Sequence, residues 1–359
     1  MNISAIRAIP IDIPFRGLGR PCEGSSSLPM LLVKVDTDEG VTGWGEAFAY
    51  KLRDATRAAL ESTVIPRYVG RDPAQIAELA LTILREFRNS KSGPLTFALS
   101  AIDIALWDIL GKTVGLPLHQ IVGGSGKKTL PTYASLLRFA DPHVAAAGVA
   151  AIAERGYRHI KLHEDTFDPV AAARKEIGDS VSLMLDVSSA WSVRQAIVEA
   201  ERLKDLNLVW LEEPTWPPED YRALARVAGV SRLALAAGEN VNSLYDFRVL
   251  CETAGLTFVQ PSVAKIGGIT EMRKALAIAE AHNLATVPHS YYLGPGLLAS
   301  LHLIAARPEE ILVEHAIFDI EAHPYAGALD VKSGAISVPQ GHGVGPPPDA
   351  NFLKRYARL

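Results

Sequence analysis

Three acidic residues recur at nearly even spacing along the chain, and each stands at the end of a short apolar run. Asp186 follows SLML, Glu212 follows LVWL, and Glu239 closes LALAAGE, so that successive acids are 26 and 27 positions apart. A short apolar run bounded by polar residues is typical of a buried parallel strand. Helix-like stretches at 193–203 and 221–228 separate the runs. Strand–helix units of about 25 residues fit a (β/α) barrel, in which strand ends carry the functional side chains.

The same repeat extends over the second part of the chain and predicts eight strands. We expect strands near 130–135, 158–163, 182–187, 208–212, 233–238, 256–262, 284–289 and 311–315. Alternating strands and helices predict parallel pairing with right-handed crossovers, and eight strands allow the sheet to close. The predicted fold class is therefore α/β, with a C-terminal (β/α) barrel of the modified TIM type over residues 126–330.

The N-terminal part has a different pattern, which predicts an α+β unit over residues 1–125. Residues 2–13 alternate in hydropathy like a strand, and 30–47 read as a hairpin with its turn at 38–40. Three helices are predicted in this unit, near 51–62, 73–89 and 95–110, and Gly111 is expected to end the last of them.

The last residues no longer follow the strand–helix repeat. The segment 331–359 contains AISVP and a stretch rich in glycine and proline, GHGVGPPPD. We expect this segment to return and pack on the N-terminal unit.

Composition argues against several classes of protein. The chain has 359 residues and a net charge of −4, so we expect no binding of nucleic acid or of an anionic membrane. The N-terminus lacks a basic region followed by an apolar block, and the apolar stretch 296–306 is too short to span a bilayer. Cys22 and Cys251 lack metal or redox spacing. We therefore expect free thiols and a cytoplasmic protein.

The three acids should converge, because parallel strands of a barrel end at the same rim. Unpaired carboxylates brought together would repel and raise one another's pKa values. A hard divalent cation removes that cost. An oxygen-only set of ligands at Asp186, Glu212 and Glu239 predicts Mg²⁺, with Mn²⁺ as an alternative.

Other strand ends carry residues that could move protons. The second strand ends with Lys161 and His163, whose spacing of two places both side chains on one face. The sixth strand ends with Ser262, the seventh with His289 and the eighth with Glu314, and Ser262 and Glu314 are candidate contacts to the substrate. Acid/base groups on two sides of a metal suit removal of a proton next to a carboxylate, with the metal stabilising the enediolate.

An ordered set of motifs resembles the enolase superfamily, in its mandelate racemase/muconate lactonising branch. The set spans nearly the whole chain and consists of GWGEA, ALSAIDIALWDILGK, HIKLH, LDVSSAW, WLEEP, AAGEN, QPSVAKIGGIT and VPHSYYLGPG. The resemblance implies that the N-terminal unit caps the barrel and that the protein is a homo-oligomer. Sites of this superfamily combine a lysine or histidine base with Mg²⁺.

The resemblance also implies roles for individual residues. Asp186, Glu212 and Glu239 would bind Mg²⁺. Lys161 is similar to the first lysine of the Lys-x-Lys pair, which touches the substrate carboxylate. Glu314 matches a glutamate on the eighth strand that contacts the bound carboxylate or enolate, and His289 is similar to the histidine on the seventh strand.

Two positions depart from the family pattern. His163 stands where the second lysine, the usual base, is expected, and Ser262 stands where an aspartate or a lysine is expected. The reference pKa of histidine is near 6.5 and that of lysine is near 10.4, so histidine is a neutral base at pH 7 with much less lowering of its pKa. We expect Lys161 and the metal to favour neutral His163 further. His163 is either the base or a hydrogen-bond donor to the substrate.

Without an aspartate at position 262, His289 should be a weaker base, because Ser262 can orient the ring but adds no charge. His289 is then either an acid toward a leaving hydroxyl or a structural histidine. Lys265 is a further acid/base candidate only if the chain turns inward before Gly267. On a regular strand its spacing of three from Ser262 would put it on the opposite face, so a role in packing or in contact with the metal ligands is favoured.

These expectations define a magnesium-dependent enzyme that removes the α-proton of a small-molecule carboxylate. Dehydration of a hydroxy acid or sugar acid is the favoured outcome. The alternatives are a racemase, epimerase or cycloisomerase, and, in a different class, a non-catalytic metal-binding member of the fold. The Gly/Ser-rich segment 15–29 is expected to act as a lid, with Arg16, Arg20, Tyr50 and the rings of Phe15 and Phe48 as candidate contacts to the far end of a ligand.

Overall fold

A computed structural model describes residues 1–16, 26–89, 93–124 and 126–358. The N-terminal unit begins with a three-stranded antiparallel sheet in the order β1-β2-β3. Its strands are β1 (Ile3–Pro14), β2 (Ser27–Thr37) and β3 (Thr42–Ala47). The predicted hairpin joins β2 to β3, and Gly40 supplies the positive φ of 82° that its turn requires. Most of the predicted lid, including Arg20 and Cys22, lies outside the described residues.

Helices cover one face of this sheet. They are α1 (Arg53–Ala58), which continues through a π-helical segment (Ala59–Val64) into α2 (Ile65–Tyr68), then α3 (Ile76–Glu86), α4 (Pro94–Val114) and α5 (Leu118–Ile121). The backbone of α4 lies directly on β3, because β3 has glycine at the two points of contact. A Cβ atom added to Gly43 would lie 2.1 Å from the backbone oxygen of Ala105. A Cβ atom added to Gly45 would lie 1.8 Å from the backbone oxygen of Ala101.

The expectation that Gly111 ends α4 is wrong. The helix continues to Val114 and ends at Gly115, which has the left-handed φ of 72° common at helix C-termini. Gly111 serves close packing instead, because a Cβ there would lie 2.5 Å from the Cα atom of Gly343. With 21 residues, α4 is long and apolar enough to cross a membrane, but 83% of its most apolar window is buried in this protein. That burial is typical of a core helix.

The second part of the chain alternates strands and helices as the sequence predicted. Its elements are β4 (Thr129–Ser135), α6 (Pro142–Glu154), β5 (His159–His163), α7 (Phe167–Ile177), β6 (Ser182–Asp186), α8 (Val193–Leu203), β7 (Leu208–Glu212), α9 (Tyr221–Ala228), β8 (Leu235–Ala237), α10 (Leu244–Thr253), β9 (Phe258–Val259), α11 (Gly268–Ala281), β10 (Ala285–Thr286), α12 (Pro295–Ala305) and β11 (Val313–Ala316). The strands β9 and β10 are shorter than predicted, with two residues each.

The strands form one curled sheet in the order β10-β9-β8-β7-β6-β5-β4-β11, and all of these pairs are parallel. The register aligns the functional strand ends. His163 pairs with Asp186, Asp186 pairs with Glu212, and Glu212 pairs with Ala236. The C-terminal ends of these strands therefore reach one level, as the modified TIM barrel predicted.

Apolar side chains fill the space on both sides of the curled sheet. An inner cluster of Tyr133, Met184, Trp210, Ala236 and Val287 occupies the interior. The larger core lies between strands and helices and includes many fully buried leucine, isoleucine and valine side chains. This packing holds the strand ends rigidly, so the side chains that project from them have fixed positions.

The last residues contact both parts of the protein. A short strand, β12 (Ala335–Ser337), pairs antiparallel with β4. The final helix, α13 (Ala350–Tyr356), contacts β1, and the Arg358 N–H donates to the Pro10 oxygen at 2.8 Å. The C-terminal segment thus connects the curled sheet to the N-terminal sheet.

Candidate active site

The three carboxylates predicted from the sequence lie together at the rim of the curled sheet. Asp186 and Glu212 end β6 and β7, and Glu239 lies two residues after β8. One ligand oxygen from each lies within 4.8 Å of those from the other two. Three oxygen donors that carry three negative charges suit a hard divalent cation such as Mg²⁺ or Mn²⁺. The residues present therefore fit the metal that the sequence suggested.

Lys161 lies below this cluster and is fully buried. Its Nζ atom is 2.8 Å from Glu212 Oε1, 2.8 Å from Glu314 Oε1 and 3.7 Å from Asp186 Oδ2. Burial favours the neutral amine, but Glu212 and Glu314 outweigh it and raise the pKa of Lys161 well above its usual value. The charged form of the side chain is therefore favoured, and it offsets part of the negative charge of the cluster.

The Glu212 carboxylate accepts hydrogen bonds from three donors. Lys161 donates to its Oε1 atom, while Trp210 Nε1 and Gln260 Nε2 both donate to its Oε2 atom at 2.8 Å. Trp210 lies on the same strand, two residues earlier, so β7 itself fixes the orientation of this carboxylate. Such fixed partners hold a ligand in position before the metal arrives.

His163 approaches the cluster from the side of Asp186. Its Nδ1 atom donates to the Leu136 oxygen, which leaves Nε2 at 3.2 Å from Asp186 Oδ2. Burial favours neutral imidazole, but the charge of Asp186 and its hydrogen bond outweigh burial and raise the pKa of His163. The contribution of Lys161 has the expected direction, toward neutral His163. Lys161 does lower the pKa, but Asp186 has the larger effect because it touches the ring.

His289 approaches from the opposite side. Its Nε2 atom lies 3.1 Å from Glu239 Oε2, and its Nδ1 atom lies 3.2 Å from Ser262 Oγ. Burial lowers the pKa of His289. The Ser262 hydroxyl also contacts the Tyr292 hydroxyl at 2.5 Å. The two imidazoles therefore touch the two outer carboxylates of the cluster, one on each flank.

Lys265 enters the site, which a regular strand would not have allowed. The strand β9 ends at Val259, and the chain then turns, with the Lys265 N–H donating to the Ser262 oxygen at 3.0 Å. This turn brings Lys265 Nζ to 3.2 Å from Glu239 Oε1 and over the ring of Phe48. The expectation of an outward-facing packing residue is wrong, because strand alternation does not apply in a turn.

Two other residues expected to contact the substrate lie deeper than the surface of the site. Glu314 is fully buried, contacts Lys161, and accepts a hydrogen bond from the Ser290 N–H at 2.9 Å. Ser262 is also fully buried and contacts His289. Neither belongs to the described residues that line the cavity: Ser262 contacts His289, which does, whereas Glu314 contacts Lys161, which does not.

The carboxylates open into a cavity of about 470 Å³ between the two parts of the chain. Asp186, Glu239, His163, His289 and Lys265 form its floor, and the expected Phe48 and Tyr50 form part of its wall. Sequence reasoning missed several further residues of the lining, namely Glu46, Tyr291, Tyr292 and Phe318. Three of these lie inside motifs already quoted, GWGEA and VPHSYYLGPG, which was the available signal.

Glu46 joins the N-terminal sheet to this floor. Its Oε2 atom accepts hydrogen bonds from the Gly294 N–H at 3.0 Å and the Gly296 N–H at 2.9 Å, at the start of α12. Complete burial raises the pKa of Glu46 to about 7. The loop that carries His289 is therefore anchored to β3 through one carboxyl group.

Comparison with protein families agrees with this architecture. Residues 143–351 match the family described as enolase C-terminal domain-like. Residues 21–123 match the mandelate racemase/muconate lactonizing enzyme N-terminal domain. Together the two matches span most of the chain.

Known proteins are similar over most of their length. A 3,6-anhydro-alpha-L-galactonate cycloisomerase from Streptomyces coelicolor is 32% identical, over 88% of each chain. A D-galactonate dehydratase from Ralstonia pickettii is 35% identical, over 76% of this chain and 74% of that protein. The crystal structure of a racemase from Streptomyces coelicolor with bound magnesium superposes with a TM-score of 0.88 at 29% identity, over 99% of this chain and 100% of the other. The chain therefore belongs to the mandelate racemase/muconate lactonizing enzyme family of the enolase superfamily.

Proposed function

We propose that this chain is a magnesium-dependent enzyme that removes the α-proton of a sugar acid or related hydroxy acid and then eliminates the β-hydroxyl as water. The observation that carries this proposal is the placement of two imidazoles on opposite flanks of one carboxylate cluster. His163 touches Asp186 at 3.2 Å, and His289 touches Glu239 at 3.1 Å. A substrate seated on the cluster would have one proton-transfer group on each side. The relatives named as a dehydratase and a cycloisomerase of acid sugars support the substrate class.

Asp186, Glu212 and Glu239 would hold the Mg²⁺ ion, and Mn²⁺ suits the same oxygen donors. The bound ion supplies Lewis-acid stabilisation of the negative charge that develops on the substrate carboxylate when the α-proton leaves. Lys161 lies under the same cluster, so its fixed positive charge adds to that stabilisation. Glu314 holds Lys161 in place.

His163 is the proposed base. Nδ1 donates to the Leu136 oxygen, so Nε2 is the nitrogen that would accept the α-proton; Asp186 raises the pKa of His163 by its charge, and a cation bound to Asp186 would offset that effect. The same hydrogen bond fixes the plane of the ring, which a base needs if its lone pair is to point at one C–H bond.

His289 is the proposed acid for the second step. The electron pair of the broken C–H bond forms the enediolate and then the new carbon–carbon double bond, while the β-carbon–oxygen bond breaks. A proton from the imidazolium form of His289 joins the departing hydroxyl, so that neutral imidazole and water are formed and an enol remains, which becomes the ketone by proton transfer. Lys265, beside Glu239, is placed to bind the substrate carboxylate or a hydroxyl next to it.

Isomerisation is the second candidate function, and one observation favours it. Lys265 and His289 both contact Glu239, on the flank opposite His163. A proton removed by His163 on one face of the substrate could therefore be returned from the other face. Racemisation, epimerisation or cycloisomerisation would begin with the same loss of the α-proton and differ only in its later fate.

Incubation of the magnesium-loaded protein with a panel of aldonic acids in heavy water tests both candidates. The panel includes D-galactonate, and ¹H NMR reports loss of the α-proton signal. Dehydration gives a product lighter by one water, whereas isomerisation gives a product of unchanged mass apart from deuterium. Equal signals with EDTA and with Mg²⁺, or no exchange and no product from any acid, would reject the proposed function.

A further inference from the structure

The helices that follow the strands of the curled sheet differ in what caps their N-termini. Each of α6, α8, α9 and α10 begins after an aspartate or serine whose side chain accepts a backbone N–H of the first turn. Within the described residues, α7, α11 and α12 have no such bond, and in α11 and α12 the N-cap residues are the glycines Gly267 and Gly294. The first N–H groups of these two helices therefore need acceptors from elsewhere.

The N-terminal unit supplies the acceptor for α12. Glu46, in β3, accepts at Oε2 from the Gly294 N–H at 3.0 Å and from the Gly296 N–H at 2.9 Å. Glycine is needed for this fit, because a Cβ atom added to Gly294 would lie 2.7 Å from Glu46 Oε2. A carboxylate here also complements the positive end of the helix dipole. Glu46 thus does for α12 what a preceding serine or aspartate does for the other helices.

The helix α4 of the same unit supplies the acceptors for α11. Its residues Ser100 and Asp103 are three positions apart, so they share one helix face. Ser100 Oγ accepts from the Gly267 N–H at 2.9 Å, and Asp103 Oδ1 accepts from the Thr270 N–H at 3.0 Å. A Cβ atom added to Gly268 would lie 2.3 Å from Asp103 Oδ1, so glycine again admits the carboxylate.

Both caps lie next to a group on one flank of the carboxylate cluster. The turn that carries Lys265 leads into α11, and the Gly268 N–H closes this turn by donating to the Val263 oxygen at 3.1 Å. The loop that carries His289 leads into α12. In this loop Tyr292 packs edge to face on the His289 ring, with centroids 5.7 Å apart. Displacement of either helix N-terminus would therefore move one of these two side chains.

The opposite flank is held in a different way. His163 donates through Nδ1 to the Leu136 oxygen, and the Leu136 N–H donates to the Lys161 oxygen at 3.0 Å. These residues lie at the ends of β4 and β5, so the hydrogen bonds described for them stay within the curled sheet. The curled sheet holds the flank of the proposed base, whereas the N-terminal unit holds the flank of the proposed acid.

We propose that Glu46 and Asp103 are positioning residues through which the N-terminal unit sets the geometry of one flank of the site. Glu46 acts through His289 and Asp103 acts through Lys265, while His163 is independent of both. The inference rests on the proposed function, in which His163 takes the α-proton, His289 protonates the leaving hydroxyl and Lys265 binds the substrate. Loss of the Glu46 cap should therefore slow elimination while α-proton exchange continues. Loss of the Asp103 cap should raise KM.

Amide hydrogen exchange measured by mass spectrometry tests the caps without any substrate. In the magnesium-loaded full chain, Glu46→Ala should speed exchange about threefold or more in peptides that cover 289–298, as expected for the loss of a helix cap. Asp103→Ala should do the same in peptides that cover 262–271. Peptides that cover 159–164, which contain His163, should keep the wild-type rate in both variants.

Amide variants show whether the acceptor oxygen is what matters. Glu46→Gln and Asp103→Asn keep a carbonyl oxygen for the same N–H groups. Burial raises the pKa of both carboxyl groups to about 7, so their neutral forms already resemble an amide. Both variants should therefore restore the wild-type protection of the two helix starts.

Kinetics with an acid that the enzyme turns over separate positioning from substrate contact. Glu46→Ala should lower kcat for elimination about tenfold or more, because small misplacements of a catalytic group are costly, and Glu46→Gln should recover most of it. Because Glu46 also lines the cavity, direct contact with the substrate is the rival role. In the His289→Ala background, Glu46→Ala should cause no further loss of kcat if it acts through His289.

Asp108→Ala is the matched control. Asp108 is a buried carboxylate on the same helix as Asp103, and it accepts from the Trp44 N–H at 2.9 Å and the Val344 N–H at 2.9 Å. Neither donor belongs to α11 or α12. This variant should lower the stability of the fold but keep the wild-type exchange of both helix starts and the wild-type ratio of elimination to α-proton exchange.

Two milder variants serve if an alanine variant does not fold. Glu46→Asp keeps the charge but withdraws the carboxylate from α12 by one methylene group, and Ser100→Ala removes the other acceptor of α11. Each should speed amide exchange in the same peptides as the alanine variant that it replaces.

Wild-type amide exchange at 289–298 in Glu46→Ala would overturn the inference, and so would a further fall of kcat in the His289→Ala background. The outcome is separable from that of the proposed function. Faster exchange at the two helix starts in a protein that turns over no acid would support the caps and reject the function. Efficient dehydration by Glu46→Ala at the wild-type kcat would support the function and reject the inference.

Discussion

Replacement of Glu212 by glutamine tests the metal site at its most constrained ligand. Two donors, Trp210 Nε1 and Gln260 Nε2, already point at Oε2, so the carbonyl oxygen of the glutamine must take that position. Its NH₂ group then replaces Oε1 and faces the ammonium of Lys161, where the wild type has a 2.8 Å ion pair. An amide nitrogen cannot bind a cation, so the variant loses a charge and keeps a single side-chain oxygen that could bind the ion.

The size of the effect follows from two magnitudes. Loss of a residue that merely supports a ligand costs about 10–100-fold in metal affinity, so loss of a ligand should cost at least about 100-fold. At a Mg²⁺ concentration of about 100 times the wild-type Kd, binding stabilises the wild type by about 2.7 kcal/mol. The same concentration would equal the Kd of the variant and stabilise it by only about 0.4 kcal/mol.

Thermal unfolding with and without Mg²⁺ measures this difference. If the 359 residues unfold together, an unfolding entropy of about 2.1 cal/mol/K per residue converts these energies to Tm increases of about 3.6 °C and about 0.5 °C. Turnover should be lost with the metal. The circular dichroism spectrum should not change, because Lys161 keeps its contact with Glu314.

Glu213→Gln is the matched control, one residue along the same strand end. Glu213 is buried, accepts a hydrogen bond from the Gly238 N–H at 3.0 Å, and is not a member of the carboxylate cluster. Burial raises the pKa of Glu213 to about 8, so its neutral form resembles glutamine. This variant should keep the full Tm increase. Equal increases in Glu212→Gln and the wild type would refute the metal site.

Three further predictions concern catalysis and stability. His163→Ala should abolish both α-proton exchange and turnover in heavy water, while the ligand still binds. His289→Ala should block elimination more than exchange. Full exchange in His163→Ala would assign the base to another residue. Burial lowers the pKa of His302 to about 3, so its neutral form should stabilise the fold above about pH 6.5. That stability should be lost at about 1.4 kcal/mol per pH unit as pH falls toward 3, and urea unfolding of His302→Leu should show a shallower dependence. Gly45→Ala should cost about 1–3 kcal/mol or more of unfolding free energy, because its Cβ would meet the backbone oxygen of α4, while Gly341→Ala, which has open space, should be near neutral.

The sequence predicted the cluster because strand periodicity and barrel topology act over long distances in a regular way. Asp186, Glu212 and Glu239 each follow an apolar run, and parallel pairing with aligned register leaves no other place for them than one rim. Lys161 and His163 share a strand face for the same reason. Regular secondary structure thus converts spacing in the chain into proximity in space.

Prediction failed where the chain leaves regular structure. Lys265 was expected outside the site because alternation was extended beyond Val259, where β9 has already ended. Gly111 was expected to end a helix because glycine often does so. Here glycine is needed at position 111 because the backbone of Gly343 packs directly against it. Turns and close backbone contacts depend on partners distant in sequence, which no local pattern contains.

Ser262 shows why a single position is hard to interpret without its neighbours. Taken alone, serine in place of aspartate removes a charge and reads as the loss of a base. In the folded chain the same serine lies between Tyr292 and His289 and contacts both. Position 262 therefore orients His289 through a contact that connects two distant strand ends. Because Ser262 contacts both side chains, positions 262, 289 and 292 have to be interpreted together.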